Sequence, residues 1–127
     1  MMIYRRDFTI NAMSKDPDTG EIILLFCKHD IKNALIRTPL DPVTTFDDDP
    51  LRILRAIRFA VTKRFTIEQT TWQAMVLYDY DSKMPVVSEE RIREELTKCF
   101  RCDTIRTLTY LDYIPRLRDY IFSRTNL

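Results

Sequence analysis

The chain has 127 residues, 45% of them hydrophobic, which is enough for one ordinary globular core and too few for two full domains. Twenty lysines and arginines against nineteen aspartates and glutamates leave a formal net charge of +1, so any case for nucleic-acid binding rests on local clusters. The single glycine, Gly20, excludes a glycine-cradled phosphate loop; with no apolar run near the ~20 residues of a membrane span and no signal-peptide core before Arg5, the chain reads as soluble and cytoplasmic, with no membrane partner.

In the first forty residues, apolar stretches alternate with turn signals. Asp16-Pro17-Asp18-Thr19-Gly20 separates the stretch Phe8 to Met13 from Glu21-Ile22-Ile23-Leu24-Leu25-Phe26, which predicts helix or strand, turn, then strand. A boundary falls between Pro39 and Phe46, and the periodicity beyond it is helical. Asp47-Asp48-Asp49-Pro50 predicts a helix start, with a carboxylate to cap and a proline at the first helical position, for a helix running to about Lys63. Thr66-Ile67-Glu68-Gln69 matches a capping box for a second helix through Tyr78, and Ser88-Glu89-Glu90 caps a third that runs to about Cys102. A fourth helix follows Asp103 and meets Pro115, and a short amphipathic end follows it.

Cys99-Phe100-Arg101-Cys102 is formally a CxxC, but His29 is the only histidine, so the two thiols read as helix-borne side chains and not as zinc ligands. With Cys27 the cysteines are odd in number and without framework spacing, which fits a reducing compartment. Asp79 and Asp81 are spaced as D-x-D but lie in the polar stretch after a helix, an unpromising place for a catalytic metal.

On the helix opened by Pro50, Asp49, Arg52, Arg55 and Arg58 recur every third residue and sweep one broad face, opposite Ile53, Leu54, Ile57 and Val61. A charged stripe of this kind is ordinarily a solvated surface. Three arginines in a row also repel one another unless an anion lies over them, and a nucleotide triphosphate would be such an anion. The stripe begins with a carboxylate three residues before an arginine, an acceptor beside a planar donor. Cytosine and adenine both present an amino donor next to a ring-nitrogen acceptor, whereas uracil and guanine present a carbonyl next to a ring N–H. Asp49 with Arg52 is complementary to the first pair and opposed to the second, because a mismatched edge leaves buried polar groups unpaired.

The run from Asp48 through Asp49-Pro50-Leu51-Arg52 to Leu54-Arg55-Ala56-Ile57-Arg58-Phe59-Ala60 resembles the nucleotide-recognition motif of class II CCA-adding tRNA nucleotidyltransferases and bacterial poly(A) polymerases, E-D-x-x-R continuing L-R-x-x-R-F-A. Upstream, Arg5-Arg6-Asp7-Phe8-Thr9-Ile10-Asn11-Ala12-Met13 resembles the family's R-R-D sugar-recognition motif. Gly20-Glu21-Ile22-Ile23 and Asp30-Ile31-Lys32-Asn33 through Ile36-Arg37-Thr38 look like its linking motif, and Glu90-Arg91-Ile92-Arg93-Glu94-Glu95-Leu96 resembles a helix of its neck.

The resemblance implies an α+β architecture: residues 1–40 as the C-terminal part of the nucleotidyltransferase head, and residues 41–127 as a helical neck. It implies that Asp49 and Arg52 read the base edge, that Arg6 and Asp7 address the ribose, and that Arg55 and Arg58 contact the nucleotide. The substrates it implies are ATP and CTP, the acceptor is tRNA, and the metal of the complete enzyme is magnesium. Asp48 stands where the family has glutamate and, being one methylene shorter, is expected to brace Arg52 less well. The family's G-G-x-x-R segment and its metal-binding D-x-D strand have no counterpart upstream of Arg5, so the chain alone is expected to be inactive. Three readings stay open: one part of a split enzyme whose head is a separate polypeptide, an inactive truncated paralogue, or an RNA- or protein-binding module that reuses the neck.

Overall fold

The computed structural model describes residues 8–9 and 28–124. Residues 28–32 are helical, and the chain then turns through Ala34 in the left-handed region, φ 55°, into strand β1, Leu35–Ile36. β1 pairs in parallel with β2, Thr66–Ile67, in the register Leu35 to Thr66 and Ile36 to Ile67. This pair joins the segment before residue 40 to the chain that leaves the central helix.

Asp41 opens α1, Pro42–Asp48, by accepting from Thr44 N at 3.1 Å, and Pro42 takes a first-turn position that needs no N–H. Helix α2, Leu51–Thr62, follows directly and is the centre of the molecule. Ile53, Leu54, Ala56, Ile57 and Ala60 are fully buried, and α1, α5, α6 and both strands pack around it. Next come α3, Gln69–Leu77; α4, Tyr80–Lys83; a 3₁₀ turn, Met84–Val86; α5, Glu89–Cys102; α6, Thr104–Tyr113; and α7, Pro115–Arg124. The core continues from α2 through Phe46, Met75, Tyr80 and Met84 to Leu111, Ile114 and Leu117.

Several expectations are met. α5 lies where its capping signal puts it, with Ser88 Oγ accepting from Arg91 N; α2 lies where expected except that Pro50 is its N-cap and not its first helical residue; and α6 follows Asp103 as expected, with Asp103 accepting from Arg106 N as a cap that was not anticipated. The expected capping box at residues 66–69 is a correction. Thr66 and Ile67 are extended and paired with β1, so the cap passes to Glu68, whose carboxylate accepts from Thr70 N at 2.9 Å and Thr71 N at 3.1 Å. Helix α1 was not anticipated.

The α+β expectation holds only coarsely. Among the described residues the molecule is mostly helical, and its β structure is the one pair of two-residue strands. The strand expected at residues 21–26 and most of the stretch 8–13 lie outside the described residues. Among the described residues, no helix is long and apolar enough to cross a membrane.

Candidate functional site

Two helices meet at Asp49. Its backbone is extended, φ −153° and ψ 100°, and its N–H ends α1 on Thr45 O, while its Oδ1 accepts from Leu51 N at 3.2 Å in the first turn of α2. The second carboxylate oxygen faces outward into a groove of about 540 Å³ lined by Asp48, Asp49, Pro50, Arg52, Val86, Val87 and Arg91. Arg91, from the first turn of α5, reaches it with Nη2 at 3.0 Å.

Arg52 lies in the same groove with its side chain only 10% exposed. Its Nη1 is 3.1 Å from Asp48 Oδ2 and donates to Thr45 O at 3.1 Å. Asp48, expected to brace Arg52 less well than a glutamate would, does form an ion pair with it. Because Asp48 is the last residue of α1 and points back across the junction, an i,i+4 pair closes without the extra methylene.

Further along α2, Arg58 Nε lies 2.6 Å from Oε2 of the buried Glu95 on α5. The picture of a row of arginines awaiting an external anion is corrected to that extent: Asp48 faces Arg52 and Glu95 faces Arg58 from within the fold. The guanidinium groups of Arg55 and Arg58 lie 5.9 and 4.6 Å from the centroid of Phe59, and Lys63 Nζ lies 4.9 Å from it. Arg55, Arg58 and Lys63 thus gather around one ring at the far end of α2, with Glu95 beside Arg58.

Asp47, the remaining residue of the acidic triplet, holds the junction from the other side. Tyr78 Oη donates to its Oδ1 at 2.9 Å and Lys83 Nζ sits 2.9 Å from the same oxygen. The Lys83 contact, helped by Tyr78, outweighs burial and keeps the Asp47 carboxyl below its ordinary value; burial and the facing carboxylate push the Tyr78 phenol up. All three aspartates face cations, and among the described residues no group of three or more histidine, cysteine or acidic side chains could hold a metal. Asp79 instead caps α4 by accepting from Ser82 N. Cys99 is buried, its thiol pushed up to about 12 mainly by that burial, while Cys102 is exposed at the end of the same helix.

Of the anticipated site residues, Asp49 and Arg52 share the groove, and Arg55 and Arg58 share the Phe59 ring. Arg6 and Asp7, like Arg5 and Asn11, lie outside the described residues. The next residue, Phe8, is fully buried with its ring edge-on to Phe59, centroids 5.8 Å apart. Arg91 and Glu95 were not anticipated as site residues. Their i,i+4 spacing on α5, opposite in sign to Asp49 and Arg58, was the available signal.

Residues 64–112 match a family model described as the probable RNA- and SrmB-binding site of polymerase A. A CCA-adding enzyme of Lactobacillus helveticus is 44% identical over 95 residues, 74% of this chain and 23% of that protein. One from Staphylococcus saprophyticus is 33% identical over 132 residues, 98% of this chain and 33% of that protein. Among solved structures, the Thermotoga maritima CCA-adding enzyme complexed with tRNA matches with a TM-score of 0.77 at 29% identity, covering 98% of this chain and 31% of that one. CCA-adding enzymes in complex with ATP and with CTP match the same fold. The chain thus spans about a third or less of the length of these relatives.

Proposed function

The chain belongs to the CCA-adding enzyme and poly(A) polymerase family, and from that premise we propose that it receives ATP and CTP for nucleotide transfer to the 3′ end of tRNA. The observation that carries this reading is the groove at the start of α2, which Asp49 and Arg52 both line. An amino group of C or A donates to Asp49, and Arg52 donates to the adjacent ring nitrogen. Arg55 and Arg58, with Lys63, carry the positive charge toward the phosphates, and Arg6 and Asp7 address the ribose.

In this reading residues 1–40 are the C-terminal part of the head and residues 41–127 the neck. The match of residues 64–112 to an RNA-binding family model supports tRNA as the macromolecular partner. Magnesium, which the family's chemistry implies, finds no fitting ligand set among the described residues, since Asp47, Asp48 and Asp49 are each paired with a cation.

Calorimetric titration of the chain with the four ribonucleoside triphosphates tests the reading. ATP and CTP are expected to bind more tightly than GTP and UTP, and Asp49→Asn to narrow the difference. Equal binding of all four nucleotides would overturn base reading at this groove.

A further inference from the structure

Where α2 ends, the chain turns on an arginine. Lys63 is the C-cap, and the next residue, Arg64, stands in the left-handed region at φ 57°, a position that favours glycine. Its side chain is 72% exposed, with Nη2 3.8 Å from Asp103, a contact too open to offset that backbone cost. Asp103 in turn lines a groove of about 430 Å³ with Ile105, Arg106, Thr109, Tyr110 and Tyr113. Arg106 donates from Nε to Ala60 O at 3.3 Å and its guanidinium lies 5.6 Å from the Tyr110 centroid; among the described residues no carboxylate forms an ion pair with it. Tyr113 is 64% exposed, and Trp72 stands edge-on to Tyr110 and Tyr113, with centroids 6.1 and 6.4 Å apart.

A protein-binding face keeps its charges to the rim, around an apolar centre. Here Arg106 and Thr109 line the groove itself, between an exposed aliphatic residue and exposed aromatic surface. A nucleic-acid strand uses both kinds of group, rings for the faces of its bases and cations for its phosphates. The span matched by the RNA-binding family model begins at Arg64 and takes in Trp72, Arg106 and Tyr110. Paired bases are stacked on one another within a helix, so a ring such as Tyr113 takes an unpaired one.

We propose that this groove is an RNA subsite separate from the Asp49 groove: an unpaired base of the tRNA stacks on Tyr113, and the adjoining phosphate lies against Arg64 and Arg106. The proposal rests on the reading that tRNA is the macromolecular partner, and it names where on the chain that partner is held.

The test is fluorescence anisotropy of the full chain and of Tyr113→Ser, Tyr113→Phe and Arg64→Gly with two labelled probes. One is a tRNA transcript lacking its terminal CCA, the other a blunt-ended RNA duplex with no unpaired base. Tyr113→Ser is expected to weaken transcript binding about tenfold, within the range for one stacked base, and Tyr113→Phe to keep it. Neither alters binding of the duplex. Arg64→Gly reduces the slope of log affinity against log salt for the transcript by about 0.7, one phosphate contact, while its thermal midpoint stays level or rises. All three variants retain the preference for ATP and CTP over GTP and UTP. Undiminished transcript binding in Tyr113→Ser overturns the proposal, as does an equal loss on the duplex. A sedimentation coefficient that falls in Tyr113→Ser while transcript binding holds assigns the face to contact between copies of the chain instead. An unchanged salt slope in Arg64→Gly overturns the phosphate role. If the unsubstituted chain binds neither RNA yet keeps its nucleotide preference, the subsite and the tRNA partnership fall together and base reading stands. Absence of both RNA and nucleotide binding overturns the functional reading itself.

Discussion

Glu95 changes what Arg58 can do. A guanidinium 2.6 Å from a buried carboxylate is part of the core as much as of a phosphate site, and removing it strands a charge in a poor solvent. Arg58→Ala should therefore cost about 3 kcal/mol in urea denaturation, while Arg58→Met combined with Glu95→Leu should recover most of that loss. A cost below about 0.5 kcal/mol, as for an ordinary surface residue, would show that the pair does not hold α2 to α5. Arg91 is the contrasting case. Half exposed and paired with Asp49, it should contribute less than about 1 kcal/mol, so Arg91→Ala should leave the denaturation midpoint nearly unchanged. The same substitution should reduce the preference for ATP and CTP over GTP and UTP, because Asp49 loses the group that orients its outward oxygen. The three-residue spacing of the arginines was legible in sequence, since it depends only on the geometry of one helix. Their partners were not: Arg91 lies 42 residues beyond Asp49, and a helical wheel describes a face without saying what meets it.

At the scale of elements, one device recurs. Asp49 and Asp103 are both extended residues between two helices, each ending the first with its N–H and receiving an N–H of the next on its side chain. The break at Asp103 was legible because a helical pattern stood on both sides of it, although its capping role was not read, whereas α1 was missed because Pro39 and Pro42 were read only as a boundary, although Asp41-Pro42 is itself a helix start. The misplaced cap of α3 has a different cause. Whether Thr66 caps a helix or joins a strand depends on its partner Leu35, which local spacing does not reveal. The cap that does form is testable by pH. Burial raises the Glu68 carboxyl, but the hydrogen bonds from Thr70 and Thr71 outweigh it and hold the group below its ordinary 4.5. A depressed carboxylate contributes stability that is fully present above that ordinary value and is lost as pH falls through the folded one. The urea midpoint should therefore decline below about pH 4.5 less steeply in Glu68→Gln than in the unsubstituted chain. Parallel profiles for the two would remove Glu68 from the acid sensitivity of the fold.

Across the whole molecule, α2 is the centre of the core and also carries the row proposed for nucleotide recognition, so the proposal predicts that binding and folding are coupled through one element. The sequence made this visible in part. The apolar residues of α2 predict burial, but its burial on nearly all sides, Arg52 included, follows from α1, α5, α6 and the strand pair closing around it, which is a property of the assembled fold. A ligand that binds only the folded state stabilises it by an amount set by concentration over Kd, about 2.7 kcal/mol at a hundredfold excess. With α2 at the centre, that stabilisation should reach every part of the described fold, including the aromatic cluster of Trp72, Tyr110 and Tyr113, which stands apart from the Asp49 groove. Thermal unfolding followed by Trp72 fluorescence and by far-ultraviolet circular dichroism should give one midpoint, and saturating ATP or CTP should raise both signals together by several degrees. GTP and UTP at the same concentration should raise them less. A shift seen in circular dichroism but not at Trp72 would mean that the α3 and α6 region unfolds independently of the nucleotide site, and α2 would then be the centre of packing without being the centre of cooperativity.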